Sequence, residues 1–457
     1  MKLAQALRLK PSPPFGSIAL VGSGGKTTAL FQLARGLPAP VIVSASTHLH
    51  VNQIKLADSH WIAKKPADLA ALEEAPDGVM LVTGPVEGER TTGLDDATLH
   101  WLDGVCRRRG LPLLIEADGS RQRPLKAPEE YEPPIPDFVE TVVVVAGLSG
   151  LGKPLGAESV HRPEIFARLS GLTPNETITP EALRRVLGHP AGGLKNIPAQ
   201  ARRVLLLNQA DTPELQATGG KLAQALLADY EAVLVGTLEP ARLQPFERIA
   251  GIVLAAGESK RFGQPKQVLH YRGQPFVRTV AETALASGLA PVVVVSGANS
   301  QAVEAALQGL PVTIAHNTDW QSGQSSSIRA GLRALSPDPL PASPKSDGFR
   351  GGSKEVGAAV FLLADQPQVT ATVVRALVEQ HSLELAPILA PLVSDRRANP
   401  VLFDRVTFPD LMALTGDVGG RAVFSKYPVT YLPWQDESLL LDVDTPADLE
   451  KLREQSC

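Results

Sequence analysis

A strand that runs into a turn of small residues occupies positions 251–266, which read GIVLAAGESKRFGQPK. The run is apolar up to Leu254, and the residues after it are small enough to bring backbone N–H groups close to a phosphate. Arg261 and Lys266 add positive charge beyond the turn. A triphosphate needs both features, so the stretch predicts a nucleotide site in an α/β fold. The alternative is a plain strand-to-helix turn whose basic residues are solvated.

Short apolar runs that do not alternate with polar residues recur along both halves of the chain. They lie at 17–21, 41–45, 79–83, 111–115, 142–146, 204–207 and 232–235, and then at 249–254, 291–295, 312–315, 358–363 and 387–390. Such runs are typical of strands buried on both faces of a parallel sheet. Amphipathic stretches such as 221–229 fit the helices that cover the sheet. The pattern predicts an α/β protein with two doubly wound domains.

A change in composition separates the two halves. Residues 237–245 contain two prolines and no continuous apolar run, and a new strand is predicted to begin at 249. We therefore expect one domain at 1–245 and a second at 246–457. Within the second domain, residues 336–356 are rich in Pro, Gly and Ser, which predicts a disordered surface loop.

Composition and charge exclude several classes of protein. The 457 residues have a net charge of -4 at pH 7 with no basic excess, which argues against a nucleic-acid-binding surface. No apolar run is long enough to cross a bilayer, and the first residues do not read as a secretory signal. The two cysteines, Cys106 and Cys457, cannot form a disulfide framework. We expect a cytoplasmic protein without nucleic-acid or membrane partners.

Several segments of the second half form a recognisable set. They are Leu254-Ala255-Ala256-Gly257, Asn317-Thr318-Asp319-Trp320, residues 323–332, Ala364-Asp365-Gln366-Pro367, residues 399–403 and 416–421, and Asp442-Val443-Asp444-Thr445-Pro446. Together they cover residues 249–454 and resemble the molybdenum cofactor cytidylyltransferase family, whose members are nucleotidyltransferases with a Rossmann-like fold. The sibling guanylyltransferase family usually has glycine at the position of Ala256, so the resemblance favours CTP over GTP.

The resemblance implies an activity and a set of site residues. CMP would pass from CTP to Mo-molybdopterin with release of pyrophosphate. Arg261 would hold the leaving pyrophosphate, Lys266 would stabilise charge at the α-phosphate, and Asp365 would hold Mg²⁺. The residues implied to bind the nucleotide are Leu254, Ala255, Ala256, Gly257, Asn317 and Ser326.

The metal ligands leave two alternatives open. A carboxylate at the end of a strand, opposite a Gly-rich loop, suits a hard cation, which is consistent with the role of Asp365. Asp442 or Asp444 would be a further ligand, and either could instead cap the helix that Pro446 opens. The sequence does not decide which of the two aspartates has which role.

A second Gly-rich stretch follows the first strand of the first half. It reads Gly22-Ser23-Gly24-Gly25-Lys26-Thr27-Thr28. Leu20 stands where the long phosphate-loop pattern requires glycine, but the shorter Gly-x-x-Gly-Lys-Thr-Thr form resembles the loops of several P-loop families. The resemblance implies two roles for this loop. Phosphates would be bound by the backbone amides of the loop and by the Lys26 side chain, and the Thr27 hydroxyl would bind Mg²⁺. The residues implied to bind the nucleotide are Gly22, Gly24, Gly25, Lys26, Thr27 and Thr28.

Two further strand ends are consistent with a nucleotide site. One apolar run ends in Glu116 and Asp118, as a Walker B element does, which makes Asp118 a candidate metal ligand. The other ends in Asn208 and Asp211, which resemble the guanine-reading motif of GTPases, except that Gln209 stands where that motif has lysine. ATP and GTP both remain candidates for this half.

The string EADGSRQRPLKAP at 116–128, with EPPIP at 132–136 and HRPE at 161–164, is specific. It resembles the family of selenium-dependent hydroxylase accessory proteins, and the resemblance covers residues 10–240. It implies a P-loop NTPase-like domain that acts in the maturation of molybdenum hydroxylases of the xanthine dehydrogenase type. The two halves would then serve one pathway.

Two other functions fit the same sequence. One is a nucleotidyltransferase that uses GTP or another acceptor. The other is a molybdenum cofactor chaperone, which would bind the finished cofactor and use the first-half nucleotide switch to time its release to the apo-hydroxylase. Only the transferases need Asp365 and the release of pyrophosphate, whereas only the chaperone needs Lys26 for delivery.

Overall fold

The computed structural model describes residues 1–10, 12–69, 78–119, 122–259, 262–335 and 356–454. The chain divides into two compact units, Met1–Phe246 and Glu247–Cys457, which we call unit 1 and unit 2. The loop predicted at 336–356 lies outside the described residues, except for Val356, which is buried.

Unit 1 consists of strands and helices that alternate along most of its length. Its strands are β1 (Ile18–Gly22), β2 (Val41–Ala45), β3 (Leu49–His50), β4 (Ser59–Ile62), β5 (Val79–Thr83), β6 (Val86–Glu87), β7 (Arg90–Thr91), β8 (Leu113–Glu116), β9 (Leu125–Lys126), β10 (Thr141–Gly147), β11 (Val160–His161), β12 (Arg202–Asn208), β13 (Ala232–Leu238) and β14 (Ala241–Glu247). Its helices are α1 (Leu3–Ala6), α2 (Lys26–Gly36), α3 (Asp96–Arg109), α4 (Pro163–Ser170), α5 (Pro180–Leu187) and α6 (Pro213–Leu226), and short 3₁₀ turns lie at Val51–Leu56 and Leu148–Gly150.

Nine of the described strands form the main sheet of unit 1, in the order β14-β13-β12-β10-β1-β8-β2-β5-β4. Strands β4 to β13 of this sheet pair in parallel. Neighbouring residues of β1 face opposite sides: Ala19 packs in a cluster with Leu102 of α3, and Leu20 packs in a cluster with Leu30 of α2. Both faces are therefore apolar and covered by helices, which explains why the strands read as continuous apolar runs.

The segment at 237–245 differs from the prediction. We expected a soft connection, but β13 and the edge strand β14 span most of it, with only Glu239 and Pro240 between them. Leu243 and Pro245 of β14 are buried, and the other residues of the strand are exposed or half-buried. An edge strand tolerates proline because one side of it has no ladder partner to lose.

Unit 2 repeats the strand and helix alternation around a smaller sheet. Its strands are β15 (Ile249–Ala255), β16 (His270–Tyr271), β17 (Gln274–Pro275), β18 (Val292–Ser296), β19 (Thr313–His316), β20 (Ala358–Leu363), β21 (Ile388–Val393), β22 (Arg396–Arg397), β23 (Val401–Asp404) and β24 (Val429–Pro433). Its helices are α7 (Phe276–Ala286), α8 (Ser300–Leu307), α9 (Gln324–Arg333), α10 (Ala371–Glu384), α11 (Phe408–Met412) and α12 (Pro446–Glu454), and 3₁₀ turns lie at Lys266–Val268, Trp320–Ser322, Arg405–Thr407, Gly420–Ser425 and Glu437–Leu440.

The described strands of the unit 2 sheet lie in the order β19-β18-β15-β20-β23-β21-β22, and β24 pairs with β21. The four strands β19, β18, β15 and β20 are parallel, whereas β23 is antiparallel to both of its neighbours. Val253 packs in a cluster on one face and Ile252 in a cluster on the other. Unit 2 is therefore also an α/β unit with apolar cores on both faces of its sheet.

Both Gly-rich stretches leave the carboxyl end of a central strand. The first follows β1, which lies between β10 and β8, and the second follows β15, which lies between β18 and β20. In open α/β sheets, ligands bind in the crevice outside these strand ends. The fold thus places both sequence-predicted loops where a ligand site is expected.

A search of the described residues for a helix that is both long and apolar enough to span a bilayer found none.

Candidate functional sites

The turn after β15 in unit 2 is held closed by side chains from the turn itself. Gln267 is buried and its Nε2 donates to the carbonyl of Gly257 at 2.6 Å. The Ser259 hydroxyl accepts a hydrogen bond from the backbone N–H of Lys266 at 3.1 Å. Leu254 is half-buried, Ala255 and Ala256 are buried, and Gly257 is exposed at the start of the turn. Arg261 lies outside the described residues, so its role stays a prediction.

Lys266 lies between two of the predicted metal ligands. Its Nζ is 2.9 Å from Oδ2 of Asp365 and 2.8 Å from Oδ1 of Asp444. Burial alone would lower the pKa of Lys266, but the charge of Asp365 and the hydrogen bonds to both carboxylates raise it above its ordinary value. The lysine therefore carries a positive charge at neutral pH. The strand end, the turn and the loop before α12 meet at this cation.

Asp442 approaches the same cluster from the loop before α12. Its Oδ1 accepts a hydrogen bond of 2.6 Å from Nε2 of Gln366, the residue after Asp365. Burial raises the pKa of Asp442, and the nearby charges of Asp365 and Asp444 raise it further. Three carboxylates therefore crowd one edge of the sheet, where their mutual repulsion favours a bound cation.

The structure assigns the helix cap to neither aspartate of the Asp442 and Asp444 pair. The α12 cap is formed by Thr445 and Asp448 instead. The carboxylate of Asp448 accepts hydrogen bonds from the backbone N–H and the hydroxyl of Thr445, at 2.9 and 2.7 Å. The Thr445 hydroxyl in turn accepts from the N–H of Asp448, which completes a capping box. Both site aspartates thus remain available to the cluster around Lys266.

The donor set fits a hard divalent cation that arrives with a triphosphate. Among the described residues, no three Asp, Glu, His or Cys side chains form a ready-made metal cage. Mg²⁺ is usually bound by one or two carboxylates together with substrate phosphates and water, so such a cage is not required. Asp365 and Asp444 already approach one common cation, the ammonium of Lys266, which shows that both carboxylates can face a single positive charge.

The predicted nucleotide-binding residues Asn317 and Ser326 lie together beside the sheet. Nδ2 of Asn317 donates to the hydroxyls of Ser326 and Ser327 at 2.7 and 3.0 Å, and all three side chains are buried. The hydroxyl of the preceding residue, Ser325, donates to the carbonyl of Gly416 at 2.6 Å. The segment at 317–332, which resembles the base and ribose contacts of the family, therefore packs against the motif at 416–421.

In unit 1, the loop after β1 is closed around Lys26. Nζ of Lys26 donates to the carbonyl of Gly22 at 2.8 Å and lies 3.1 Å from Oδ1 of Asp118. The other oxygen of Asp118 accepts from the backbone N–H of Gly22 at 3.0 Å. Lys26 and Asp118 are almost completely buried, with side chains 3% and 2% exposed. Thr28 lies in the first turn of α2 and Lys26 begins that helix.

Gly25 of this loop adopts a backbone conformation that residues with a side chain rarely reach. Its φ is +122°, and a Cβ at this position would lie 2.3 Å from Nδ2 of Asn208. We expect Gly25→Ala to destabilise unit 1 by about 2 kcal/mol or more, because strain and steric overlap add. For a unit of this size the melting temperature should fall by roughly 4–8 °C.

The matched control for this prediction is Gly156→Ala. A Cβ at Gly156 would meet nothing within 4 Å, so its melting temperature should not change. Equal melting temperatures for the two variants would show that the loop does not need glycine at position 25.

The hydroxyl of Thr27 contacts Glu116 rather than Asp118. Thr27 Oγ1 donates to Oε2 of Glu116 at 3.3 Å and accepts from Nε2 of Gln53 at 2.8 Å. Burial raises the pKa of Glu116, and the charge of Lys26 opposes that shift. Gln53 had no signal in the sequence, since it lies in a 3₁₀ turn without a motif. Asp118, whose oxygens face two lysines and an N–H group, stays a prediction as a metal ligand.

A chain of alternating charges continues from Asp118 into the specific string at 116–136. Lys126 Nζ is 2.9 Å from Asp118 and 2.8 Å from Glu132, and Arg162 contacts Glu132 with two nitrogens. Burial alone would raise the pKa of Glu132, but hydrogen bonds from Arg162 and Lys126 lower it to about 2. The motif residues of this half thus form one ion-paired network that ends at Lys26.

Asn208 and Asp211, which resemble a guanine-reading motif, lie in different environments. Asn208, at the end of β12, is buried and its Nδ2 donates to the carbonyl of Gly24 at 2.8 Å. Asp211 is exposed three residues later. The amide of Asn208 therefore supports the Gly-rich loop, and base reading by this pair stays a prediction.

Known protein families match the two halves of the chain separately. Residues 18–164 match the family described as YqeC protein, and residues 251–431 match the family described as MobA-like NTP transferase domain. The chain is 35% identical over 233 residues to the "Uncharacterized protein YqeC" of Escherichia coli (strain K12), a match that covers 49% of this chain and 87% of that protein.

Two further similarities concern a curated protein and a solved structure. The "Nicotine blue oxidoreductase" of Paenarthrobacter nicotinovorans is 35% identical over 214 residues, which covers 45% of this chain and 96% of that protein. The crystal structure of Rv0371c from Mycobacterium tuberculosis H37Rv is 28% identical and covers 45% of this chain and 97% of its own, with a TM-score of 0.38. The chain is therefore a fusion that belongs to the YqeC family through its first half and to the MobA-like NTP transferase domain family through its second.

Proposed function

We propose that unit 2 is a CTP-dependent nucleotidyltransferase that transfers CMP to Mo-molybdopterin and releases pyrophosphate. One observation carries the proposal: Lys266 meets Asp365 and Asp444 at the strand ends, directly beside the turn of small residues at 255–257. A cation and paired carboxylates next to a turn of small residues suit a metal-bound triphosphate. The preference for CTP rests on the resemblance, in which Ala256 is the distinguishing residue.

The reaction joins two anions, so charge neutralisation and positioning carry the catalysis. A phosphate oxygen of the acceptor attacks the α-phosphorus of CTP, and the bond to the β-phosphate oxygen breaks as pyrophosphate leaves. Asp365, with Asp442 or Asp444, would hold Mg²⁺, which when bound would supply charge neutralisation at the phosphates. Lys266 offers its ammonium to the α-phosphate, the turn at 255–257 offers N–H groups to the phosphates, and the Asn317 and Ser326 pair faces the nucleoside. No side chain needs to form a covalent bond.

The test is pyrophosphate release by the full chain with Mg²⁺ and molybdenum cofactor. We expect release with CTP to exceed release with GTP and ATP by at least about 10-fold, since pockets separate similar groups by about 10- to 200-fold. A preference for GTP would assign unit 2 to the guanylyl class. No release with any of the three would favour another acceptor, the cofactor chaperone, or the redox activity that the name of the Paenarthrobacter relative states for that protein.

We also propose that unit 1 binds ATP or GTP at the loop 22–28. The contacts that favour this are those of Thr27, whose hydroxyl has Gln53 and Glu116 as partners and one lone pair left for Mg²⁺. Lys26 would exchange its contact with Asp118 for phosphate oxygens. In this proposal unit 1 serves the apo molybdenum hydroxylase that receives the cofactor made by unit 2.

A further inference from the structure

We propose that Gln366 is a positioning residue for the metal site of unit 2: its side-chain amide orients Asp442 so that this carboxylate becomes a ligand beside Asp365. The inference rests on the proposed function, since it assumes that this edge of the sheet takes a divalent cation with a triphosphate. It adds a role for a residue that cannot ionise: Gln366 lies in the motif at 364–367, but the resemblance assigned it no function.

The position of Gln366 in the fold is rigid. It directly follows Asp365 in the turn after β20, and its backbone N–H donates to the carbonyl of Leu363 at 3.1 Å. Its side chain is 2% exposed. The donor that holds Asp442 is therefore built on the same turn as Asp365, and the spacing between the two carboxylates is set by one short stretch of backbone.

The contact fixes which end of the amide faces Asp442. Nε2 donates to Oδ1 at 2.6 Å, whereas Oε1 of Gln366 is buried without a hydrogen-bond partner among the described residues. Rotating the amide by 180° would place Oε1 against a carboxylate oxygen, which is repulsive. A bond to an ionised acceptor is stronger than one between neutral groups and offsets the cost of the unpartnered carbonyl.

Holding Oδ1 leaves Oδ2 of Asp442 as the oxygen available to a cation. Without this anchor the carboxylate could rotate away from the neighbouring charge of Asp365, with which it is crowded. Mutation of partners that orient metal ligands in this way typically lowers metal affinity or activity by about 10- to 100-fold.

Gln368 supports the same arrangement through the backbone. Its Nε2 donates to the carbonyls of Ser438 and Leu441 at 3.0 and 2.7 Å, which fastens the loop that leads to Asp442. The two glutamines on either side of Pro367 have different tasks. Gln368 positions the backbone of the loop before Asp442, and Gln366 orients the Asp442 carboxylate.

The test compares Mn²⁺ binding to the full chain and to Gln366→Met, which keeps the length of the side chain and removes the donor. We expect the dissociation constant for Mn²⁺ with CTP present, measured by electron paramagnetic resonance, to rise about 10- to 100-fold. Binding that remains in Asp365→Ala is subtracted as belonging to other sites. The matched control is Gln380→Met on α10, where a half-buried glutamine donates to Glu384 at 3.2 Å, and it should bind as the wild type does.

Further measurements separate positioning from a structural role and from a failure of the proposed function. Saturating Mn²⁺ should restore kcat in Gln366→Met, and the KM for CTP at saturating metal should not change. Gln366→Asn is the substitute variant if Gln366→Met does not fold. It keeps the amide but is too short to reach Asp442, so its dissociation constant for Mn²⁺ should also rise about 10- to 100-fold. An unchanged Mn²⁺ affinity, or a loss of transfer that saturating metal does not restore, would overturn the inference. A wild-type chain whose Mn²⁺ affinity depends on Gln366 but which transfers no CMP would overturn the proposed function alone.

Discussion

Asp365→Asn should lower the rate of nucleotidyl transfer by on the order of 10³-fold and leave unit 2 folded. The carboxylate lies 2.9 Å from Nζ of Lys266, and replacing it with an amide keeps its shape while removing the negative charge that would face the cation. Its side chain is 28% exposed, so the lost ion pair contributes little to the free energy of unfolding. The measurement is kcat/KM for CTP, together with the melting temperature.

The chain offers a closely matched control for this variant. Asp410 is 27% exposed and pairs with Lys426, away from the cluster around Lys266. Asp410→Asn should therefore change the melting temperature by a similar small amount and leave kcat/KM for CTP at the wild-type value. Wild-type transfer by Asp365→Asn would contradict the proposed chemistry, and an equal loss in both variants would show that the effect is on folding.

The continuous apolar strands could be predicted from the sequence because both of their faces are buried. The runs predicted at 41–45, 79–83 and 358–363 coincide with β2, β5 and β20. In such strands every residue meets a core, so the signal does not depend on which helix covers which face. The α/β class of both units follows from this pattern.

Strands β14 and β23 were not predicted from the sequence. The partly exposed edge strand β14 contains a proline, and the short β23, although buried, follows a proline within a segment that the resemblance assigned to the site. Both strands form because a neighbouring strand offers a ladder, which is a property of the assembled sheet. Local residue preference does not contain that information.

The site of unit 2 was predictable where a charged residue occupies a motif. Lys266, Asp365 and Asp444 were predicted separately, and the structure brings all three within one set of contacts. Two buried glutamines were not predicted as site residues: Gln267, which donates to the carbonyl of Gly257, and Gln366, which donates to Asp442. A neutral amide shows its importance only through what it touches, and those partners lie 10 and 76 residues away in the chain.

The acids of unit 1 show the same limit at shorter range. Glu116 and Asp118 both follow the strand β8, and the sequence favoured Asp118 as the metal ligand. The structure turns Asp118 towards Lys26 and Lys126, while Glu116 receives the hydroxyl of Thr27. Which acid faces the hydroxyl depends on Lys126, which a separate short strand brings to the loop.

Lys26→Ala should weaken nucleotide binding at unit 1 by about 30-fold or more and should leave CMP transfer by unit 2 unchanged. Removing a buried charge that would face phosphates costs about 2–5 kcal/mol, which corresponds to a loss of about 30- to 4,000-fold in affinity. Asp118 keeps a cationic partner in this variant, because Nζ of Lys126 lies 2.9 Å from it. The fold should therefore survive. Titration calorimetry with ATP and with GTP measures the first effect, and pyrophosphate release measures the second.

Thr27→Val tests the same site through a milder change, because valine matches threonine in shape and lacks only the hydroxyl that contacts Glu116 and Gln53. It should weaken binding of the nucleotide in the presence of Mg²⁺ and have a smaller effect when Mg²⁺ is chelated, since the lost group is the proposed metal ligand.

Lys153→Ala, at an exposed position, is the control for Lys26→Ala. Wild-type affinity in both loop variants would refute a phosphate site at 22–28. Loss of CMP transfer in Lys26→Ala, with unit 2 still folded, would show that the two halves do not act independently.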